Sequence, residues 1–378
     1  MQILITREQE TLDILHLYKD YYPVLGGIEN HIKVLAEAQA ADGHQVTVLV
    51  CDPGRRTRTE TRNGVKVIKA GRLTTAASMP LSLTQPLILA RLRPDIVHIQ
   101  SPYPLGEGAN WLIGRATATV ISYQSDVVRQ KRLLRIYGPI LRRVLGAADR
   151  IIASSPRYIE TSPWLRPVRE KCVVSPLGVD VTRFTPAEQP HTGPLTLLFV
   201  GRLRYYKGLD TLLRALTHVP EVRLMVVGDG PMEKQWQALS RALGLAERVT
   251  FVGEVDDADL PGYYRRASLF VLPANARAEA FGTVLLEAMA SGLPCITTEL
   301  GTGTSWIVQD GVTGFVVSPM DPLALAEAIR RMQDASLRRQ MGLAAYERLR
   351  ESFTQQQMIA RVIKVYEDVL HNRVRDPK

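Results

Sequence analysis

The sequence predicts two doubly wound α/β domains, and three observations carry that prediction. Short runs rich in Val and Ile recur along the chain, each followed by a longer segment of helical period. The runs are apolar throughout, the habit of parallel strands covered on both faces by crossover helices. The series occurs twice, and 378 residues are long for one core but ordinary for two.

In order, the first series places strands at residues 12–18, 45–50, 65–69, 95–99, 118–123, 150–153 and 171–174, with a helix at 28–41 after the first. The second places strands at 195–200, 223–227, 249–252, 269–272, 294–297 and 314–317, with a helix at 283–290. Between the series, residues 184–194 (FTPAEQPHTGP) hold three prolines and a glycine without a periodic pattern, which predicts a linker. The domains expected are therefore 1–185 and 186–353. From residue 321 the period is helical, predicting helices at 321–332, 336–351 and 354–371.

Composition narrows the function. Hydrophobic residues make up 46% and charged residues 22%, enough apolar material for a core in each half. No run approaches the roughly 18 apolar residues of a spanning helix, and acidic residues interrupt the N-terminus where a signal peptide has its apolar stretch. Cys51, Cys172 and Cys295 are far apart, and the seven His are scattered, so neither a disulfide scaffold nor a metal site is expected. A reduced, cytoplasmic location follows. The net charge of +9 is uneven: residues 1–190 carry 25 Lys/Arg against 17 Asp/Glu, and 191–378 carry 22 against 21. A basic half suits nucleic acid, an anionic membrane or a phosphorylated substrate. Aromatics at 6% give few stacking platforms, which disfavours nucleic acid.

Three motifs carry chemistry. Gly26-Gly27 follows the first strand and opens a helix, where backbone N–H groups can approach a phosphate, although a paired glycine is more often only a turn. Arg202 and Lys207-Gly208 follow the first strand of the second domain. Two cations at the carboxyl end of a parallel strand suit a diphosphate better than they suit bulk solvent. Glu279 and Glu287 stand eight residues apart around a predicted helix start, two turns of one helix edge. Two weaker signals are set aside. Gly228-Asp229-Gly230 lacks the third glycine of a dinucleotide fingerprint, and Asp257-Ala258-Asp259 only mimics a metal-binding Asp-x-Asp.

The run EAFGTVLLEAMASGLP resembles the Glu-x7-Glu signature of family 4 glycosyltransferases, retaining enzymes of the GT-B fold. GGIEN, GRLRYYKG, VVGDGP and SPLGVDVTRF resemble the same family in order and spacing, and ELGTGTSWIVQDGVTGFVV is similar to members that build polysaccharides from GDP-mannose. The resemblance implies two Rossmann-like domains facing across a cleft, with the last helix, 354–378, packing back on the first domain. It implies that Arg202 and Lys207 bind the donor diphosphate and Glu287 the ribose. Glu279, with the N–H groups of Phe281 and Gly282, would hold the donor sugar, and Thr283 and Val284 belong to the same donor-binding run. Gly26 and Gly27 would close over the diphosphate. Val255 and Asp257 match guanine-binding positions, although Leu260 stands where one such relative has a lysine.

One residue departs from the pattern. Relatives carry a His where this chain has Gln124, and Gln cannot hold a proton charge. A charge-bearing role for that position is favoured over an orienting one, and Asp126 beside it is a second catalytic candidate or a helix N-cap. The helix expected over 127–145 interleaves apolar residues with Arg and Lys and is interrupted by Gly138-Pro139. It reads as a face for an anionic leaflet or as a core helix with a charged back.

The function implied is transfer of a hexose, mannose from GDP-mannose, to a saccharide or lipid-linked acceptor, peripheral to the inner face of the plasma membrane. The donor is a substrate, and no cofactor or metal is expected. The alternatives are a UDP-sugar-dependent transferase, or a sugar-nucleotide binder weakened by Gln124.

Overall fold

In the computed structural model, β1 (Asp13–Leu17) pairs in parallel with β2 (Gln45–Cys51), joined by the crossover helix α1 (Gly27–Ala41). The structure describes residues 11–24, 26–76, 79–126, 131–188 and 193–375. It falls into two units. The first comprises residues 1–153, 168–173 and 359–378, and the second 154–167 and 174–358.

In the first unit β3 (Arg58–Arg62) and β4 (Val65–Ala70) follow, then the short antiparallel pair β5 (Thr74–Ala76) and β6 (Met79–Leu81). Helix α2 (Thr84–Leu89), β7 (Ile96–Ser101), α3 (Pro104–Ile113), β8 (Ala118–Tyr123), α4 (Lys131–Ala147), β9 (Arg150–Ala153) and β10 (Cys172–Val174) complete it. The sheet order is β10-β9-β8-β7-β1-β2-β4-β3. The chain therefore reverses direction across the sheet between β1 and β7. At such a switch point the loops after the two strands diverge and leave a crevice at the carboxyl edge. Val, Ile and Leu of β1, β2, β7 and β8 are almost wholly buried, as expected of strands covered on both faces.

Helix α5 (Pro156–Thr161) opens the second unit. Its sheet runs through β11 (Thr196–Val200), β12 (Arg223–Val227), β13 (Val249–Gly253), β14 (Leu269–Leu272), β15 (Cys295–Thr298) and β16 (Gly314–Val317). The order β13-β12-β11-β14-β15-β16 is all parallel and switches between β11 and β14. Helices α6 (Leu209–Leu216), α7 (Glu233–Ala242), α8 (Leu260–Arg265), α9 (Thr283–Ala290), α10 (Thr304–Ile307), α11 (Pro322–Arg331) and α12 (Ala335–Ser352) surround it. The C-terminal helix, Gln355–Arg375, begins in this unit and continues as part of the first.

Three expectations need correction. Residues 184 and 185 are not a linker: Phe184 is buried in the second unit and meets Tyr264 edge-on at 5.4 Å, while Val179 bridges Thr354. A boundary after residue 185 thus falls inside the second unit, and residues 189–192 lie outside the described residues. Gly138-Pro139 does not interrupt α4, whose helix runs through Pro139 on the exposed side. Among the described side chains of α4 the apolar stripe faces inward, with Tyr137, Leu141, Val144 and Leu145 buried, and Ile140 alone of its large apolar residues is exposed. Residues 127–130 of that expected helix lie outside the described residues, as do residues 1–10.

Candidate active site

The switch point of the second unit gathers most of the predicted cluster. The loop after β11 carries Arg202 and Lys207, and the loop after the adjoining β14 carries Glu279. Lys207 ends a 3-10 turn, and Gly208 follows at φ +69 as the N-cap of α6. A Cβ at Gly208 would lie 1.9 Å from the Pro273 carbonyl oxygen, so only glycine lets the two loops press together there. Asn275 then ties them, its N–H bonding Tyr206 O at 2.9 Å and its side chain donating to Tyr205 O at 3.1 Å.

This packing sets Lys207 Nζ 2.7 Å from Glu279 Oε2, with both side chains only 10% exposed. Burial is the largest single influence and works to lower the Lys207 pKa, but the Glu279 carboxylate, together with Tyr206 and Glu287, holds the ammonium above its ordinary value. Glu279 is supported from behind, since Thr302 Oγ1 donates to its backbone carbonyl at 2.9 Å and Gly303 N–H to Ala280 O at 2.8 Å. Arg202 is exposed and has no carboxylate partner among the described residues.

Gly282, at φ +85, caps α9 and turns the chain into the helix. Helix geometry leaves the first N–H groups, Thr283 and Val284, without intrahelical carbonyls, a donor pair and positive dipole end beside the ion pair. Phe281 is buried under this turn. Glu287, part-buried inside α9, accepts a 2.6 Å hydrogen bond from Tyr264 OH. Burial raises its pKa, while the Tyr264 bond and the charge of Arg183 work the other way. Arg183 Nη2 donates to the Asp257 backbone carbonyl at 2.6 Å. Lys207, Glu279, Glu287, Arg183 and Asp257 thus form one electrostatic neighbourhood. Val255 and Leu260 pack against the apolar cluster that also holds Phe281.

In the first unit, Gly26 is the N-cap of α1 and the Glu29 carboxylate folds back over it, meeting the positive end of the helix. Gln124 leaves β8 part-buried, and its Nε2 donates to Gln100 Oε1 at 2.8 Å. Asp126 accepts a hydrogen bond from Tyr123 OH at 3.1 Å.

The sequence matches two family models in succession, Glycosyltransferase Family 4 over residues 25–183 and Glycosyl transferases group 1 over 181–348. It is 37% identical over 355 residues to D-rhamnosyltransferase WbpZ of Pseudomonas aeruginosa, covering 90% of this chain and 92% of that protein. It is 34% identical over 370 residues to O-antigen chain mannosyltransferase C of Escherichia coli, covering 95% and 99%. This chain is a family 4 glycosyltransferase. Its fold is GT-B: the sucrose-phosphate synthase of Thermosynechococcus elongatus matches it with a TM-score of 0.77 over 95% of this chain and 99% of that one, at 23% identity.

Sequence reasoning missed three residues of this glycosyltransferase's candidate site: Tyr264, Arg183 and Gln100. Arg183 stands in the SPLGVDVTRF run and had that much of a signal. Tyr264 and Gln100 reach Glu287 and Gln124 over 23 and 24 positions of sequence, and no local pattern announces either. Among the described residues no group of three or more His, Cys, Asp or Glu is placed to hold a metal, and no helix is long and apolar enough to cross a membrane.

Proposed function

We propose that this glycosyltransferase moves a hexose, mannose from GDP-mannose, to a saccharide or lipid-linked acceptor in bacterial polysaccharide synthesis, with retention of configuration. The observation that carries the reading is the buried Lys207–Glu279 pair at the β11/β14 switch point, beside Glu287 and the start of α9. Similarity to an O-antigen mannosyltransferase and a rhamnosyltransferase supports the substrate class.

In this reading Arg202 and Lys207 take the diphosphate, Glu287 with Tyr264 takes the ribose hydroxyls, and Val255 and Asp257 border the base. Glu279 and the N–H groups of Phe281 and Gly282 take the hydroxyls of the sugar. The first unit supplies the acceptor site, the Gly26-Gly27 turn, Gln124 and Asp126. As the diphosphate departs, the anomeric carbon becomes oxocarbenium-like, and the leaving phosphate oxygen accepts the proton of the attacking hydroxyl. Arg202, Lys207 and the α9 N-terminus meet the charge that develops on the leaving group. The donor is a substrate, and the reading calls for no resident cofactor.

Transfer and hydrolysis with a panel of nucleotide sugars test it. GDP-mannose should be used fastest, without effect of a chelator. Arg202→Ala and Lys207→Ala should each lose about 2–4 kcal/mol of transition-state stabilisation, roughly 30- to 1000-fold in rate. Near-normal turnover of both variants removes the diphosphate assignment. A preference for a UDP-sugar removes the guanine assignment, and turnover of no donor leaves only a sugar-nucleotide binder.

We further propose that the enzyme works at an anionic membrane surface. Support comes from the first unit, where Arg135, Arg142 and Arg143 line the exposed side of α4. The adjoining α3 leaves Leu105, Trp111, Leu112 and Ile113 exposed. Basic residues beside exposed aromatic and aliphatic ones suit the boundary between headgroups and acyl chains.

A further inference from the structure

A continuous chain of hydrogen bonds runs through the first unit from the C-terminal helix to Gln124. His98 and Gln100 are two residues apart on β7 and so share one face of the strand. His98 Nδ1 lies 2.6 Å from Tyr366 OH on the C-terminal helix, and its Nε2 lies 2.7 Å from Ser122 Oγ and 3.3 Å from Gln100 Nε2. Gln100 Oε1 in turn receives Gln124 Nε2 at 2.8 Å. Tyr366 also receives Gln39 Nε2 at 3.5 Å, and Gln39 Oε1 lies 2.7 Å from His16 Nε2. His16, Gln39, His98, Gln100 and Tyr366 are wholly buried, whereas Gln124 is only part-buried and is the end of the chain that can meet a ligand.

With the Gln100 NH2 turned toward His98, as the structure has it, donor and acceptor chemistry sets the direction of the other bonds. Burial keeps His98 neutral, so one ring nitrogen carries a proton and the other accepts. An amide NH2 can only donate, so with Gln100 Nε2 facing it, His98 Nε2 is the acceptor. Ser122 donates to that nitrogen at 2.7 Å and shares its one lone pair with the longer Gln100 contact, and the His98 proton sits on Nδ1, donated to Tyr366. Gln100 has its NH2 committed inward and offers Oε1 to the NH2 of Gln124.

We propose that His98, Gln100 and Tyr366 are positioning residues that fix the Gln124 amide with its carbonyl oxygen, rather than its NH2, presented to the substrate. A carbonyl oxygen recognises a hydroxyl donor, so this residue orients a sugar hydroxyl and is not a donor to a departing anion. The opposite polarity is also self-consistent. If Tyr366 donated to Nδ1, the His98 proton would sit on Nε2, both amides would turn over, and Gln124 would present NH2. The hydrogen-bond polarity at Tyr366 therefore determines what the exposed end of the relay can bind. This proposal rests on the reading of Gln124 as a substrate-facing residue of the transferase.

Two measurements on the full chain test it. Nitrogen-15 NMR of the histidine rings should show His98 as the Nδ1–H tautomer, and an Nε2–H tautomer overturns the proposal whatever the activity. The second is a double-mutant cycle on transfer activity. Gln100→Leu should lower kcat/KM about three- to tenfold in the native background, the worth of one hydrogen bond, and leave it unchanged in a Gln124→Ala background. Tyr366→Phe, which keeps the packing volume, should follow the same pattern and covers the case in which Gln100→Leu fails to fold. Equal losses in both backgrounds mean a structural role only and overturn the proposal while sparing the role of Gln124. Full activity of Gln124→Ala alone removes the underlying reading, and the proposal with it.

Discussion

The two units place their buried polar groups differently. In the first, His16, His31 and His98 lie buried as neutral rings, those of the central strands β1 and β7 bonded to amides and hydroxyls. The wholly buried Glu107 carboxyl of that unit is held by the Tyr103 N–H and the Tyr137 hydroxyl, with no cation paired to it among the described residues. In the second, the buried charges sit at the carboxyl edge, where Lys207 and Glu279 neutralise each other and Glu287 is held by Tyr264. Neutral rings and carboxyl groups can be satisfied in the interior by hydrogen bonds alone, but an ammonium buried away from water needs a carboxylate beside it. The same α/β architecture thus supports an orienting network in one unit and a charge cluster in the other.

The largest effect is expected at the Lys207–Glu279 ion pair. Glu279→Ala leaves Lys207 buried and unpaired and should destabilise the second unit by about 3–5 kcal/mol, as should Lys207→Met, which strands the carboxylate. The double variant Lys207→Met/Glu279→Leu should cost clearly less than the sum of the single changes. Thermal unfolding of the three variants decides it, and simple additivity would mean the two charges do not act as a pair.

Acid should act on the other unit. Burial holds the His16 pKa down to about 4 and that of His31 to about 3, and lowers that of His98 as well. An unfolded chain binds these protons from about pH 6.5 downward while the folded rings stay neutral. Stability present above pH 6.5 is therefore lost as pH falls toward the folded values, by up to about 1.4 kcal/mol per ring and pH unit. Between pH 7.5 and pH 5, hydrogen exchange should reveal the first unit opening before the second. Equal loss of protection in both units would contradict this.

The smallest effect expected concerns surface charge. Vesicles containing anionic lipid should bind the enzyme more weakly with each Arg135, Arg142 or Arg143→Gln change, by about 1 kcal/mol apiece, and more weakly with added salt. Equal binding to neutral and anionic vesicles would sink the membrane reading.

Much of this was legible in the residues. The parallel strands declared themselves because burial on both faces demands unbroken Val/Ile/Leu runs, and the edge cluster because Lys207, Glu279 and Glu287 fall beside strand ends. β3 escaped notice because Arg-Thr-Glu-Thr-Arg has no apolar face: it is an exposed antiparallel edge held by β4. Its signal was the Asn63-Gly64 pair, both at positive φ, which makes a tight hairpin turn. The prolines around Phe184 suggested a linker, but its contact with Tyr264 depends on partners eighty residues away. The relay beneath Gln124 was illegible for the same reason, since it joins β7, β8 and the C-terminal helix through single side chains.

The C-terminal helix has one further consequence, for the order of events on the ribosome. Residues 1–153 emerge first, yet the segment that completes their unit, with Tyr366 bonded to His98 and Arg373 to Asp149, begins only at residue 359. About 200 residues separate the two, roughly 10–40 s of elongation, during which a nascent first unit lacks that cover. The second unit, whose residues are all made by position 358, is the one able to finish first, so vectorial synthesis inverts the order in which the halves of this enzyme mature.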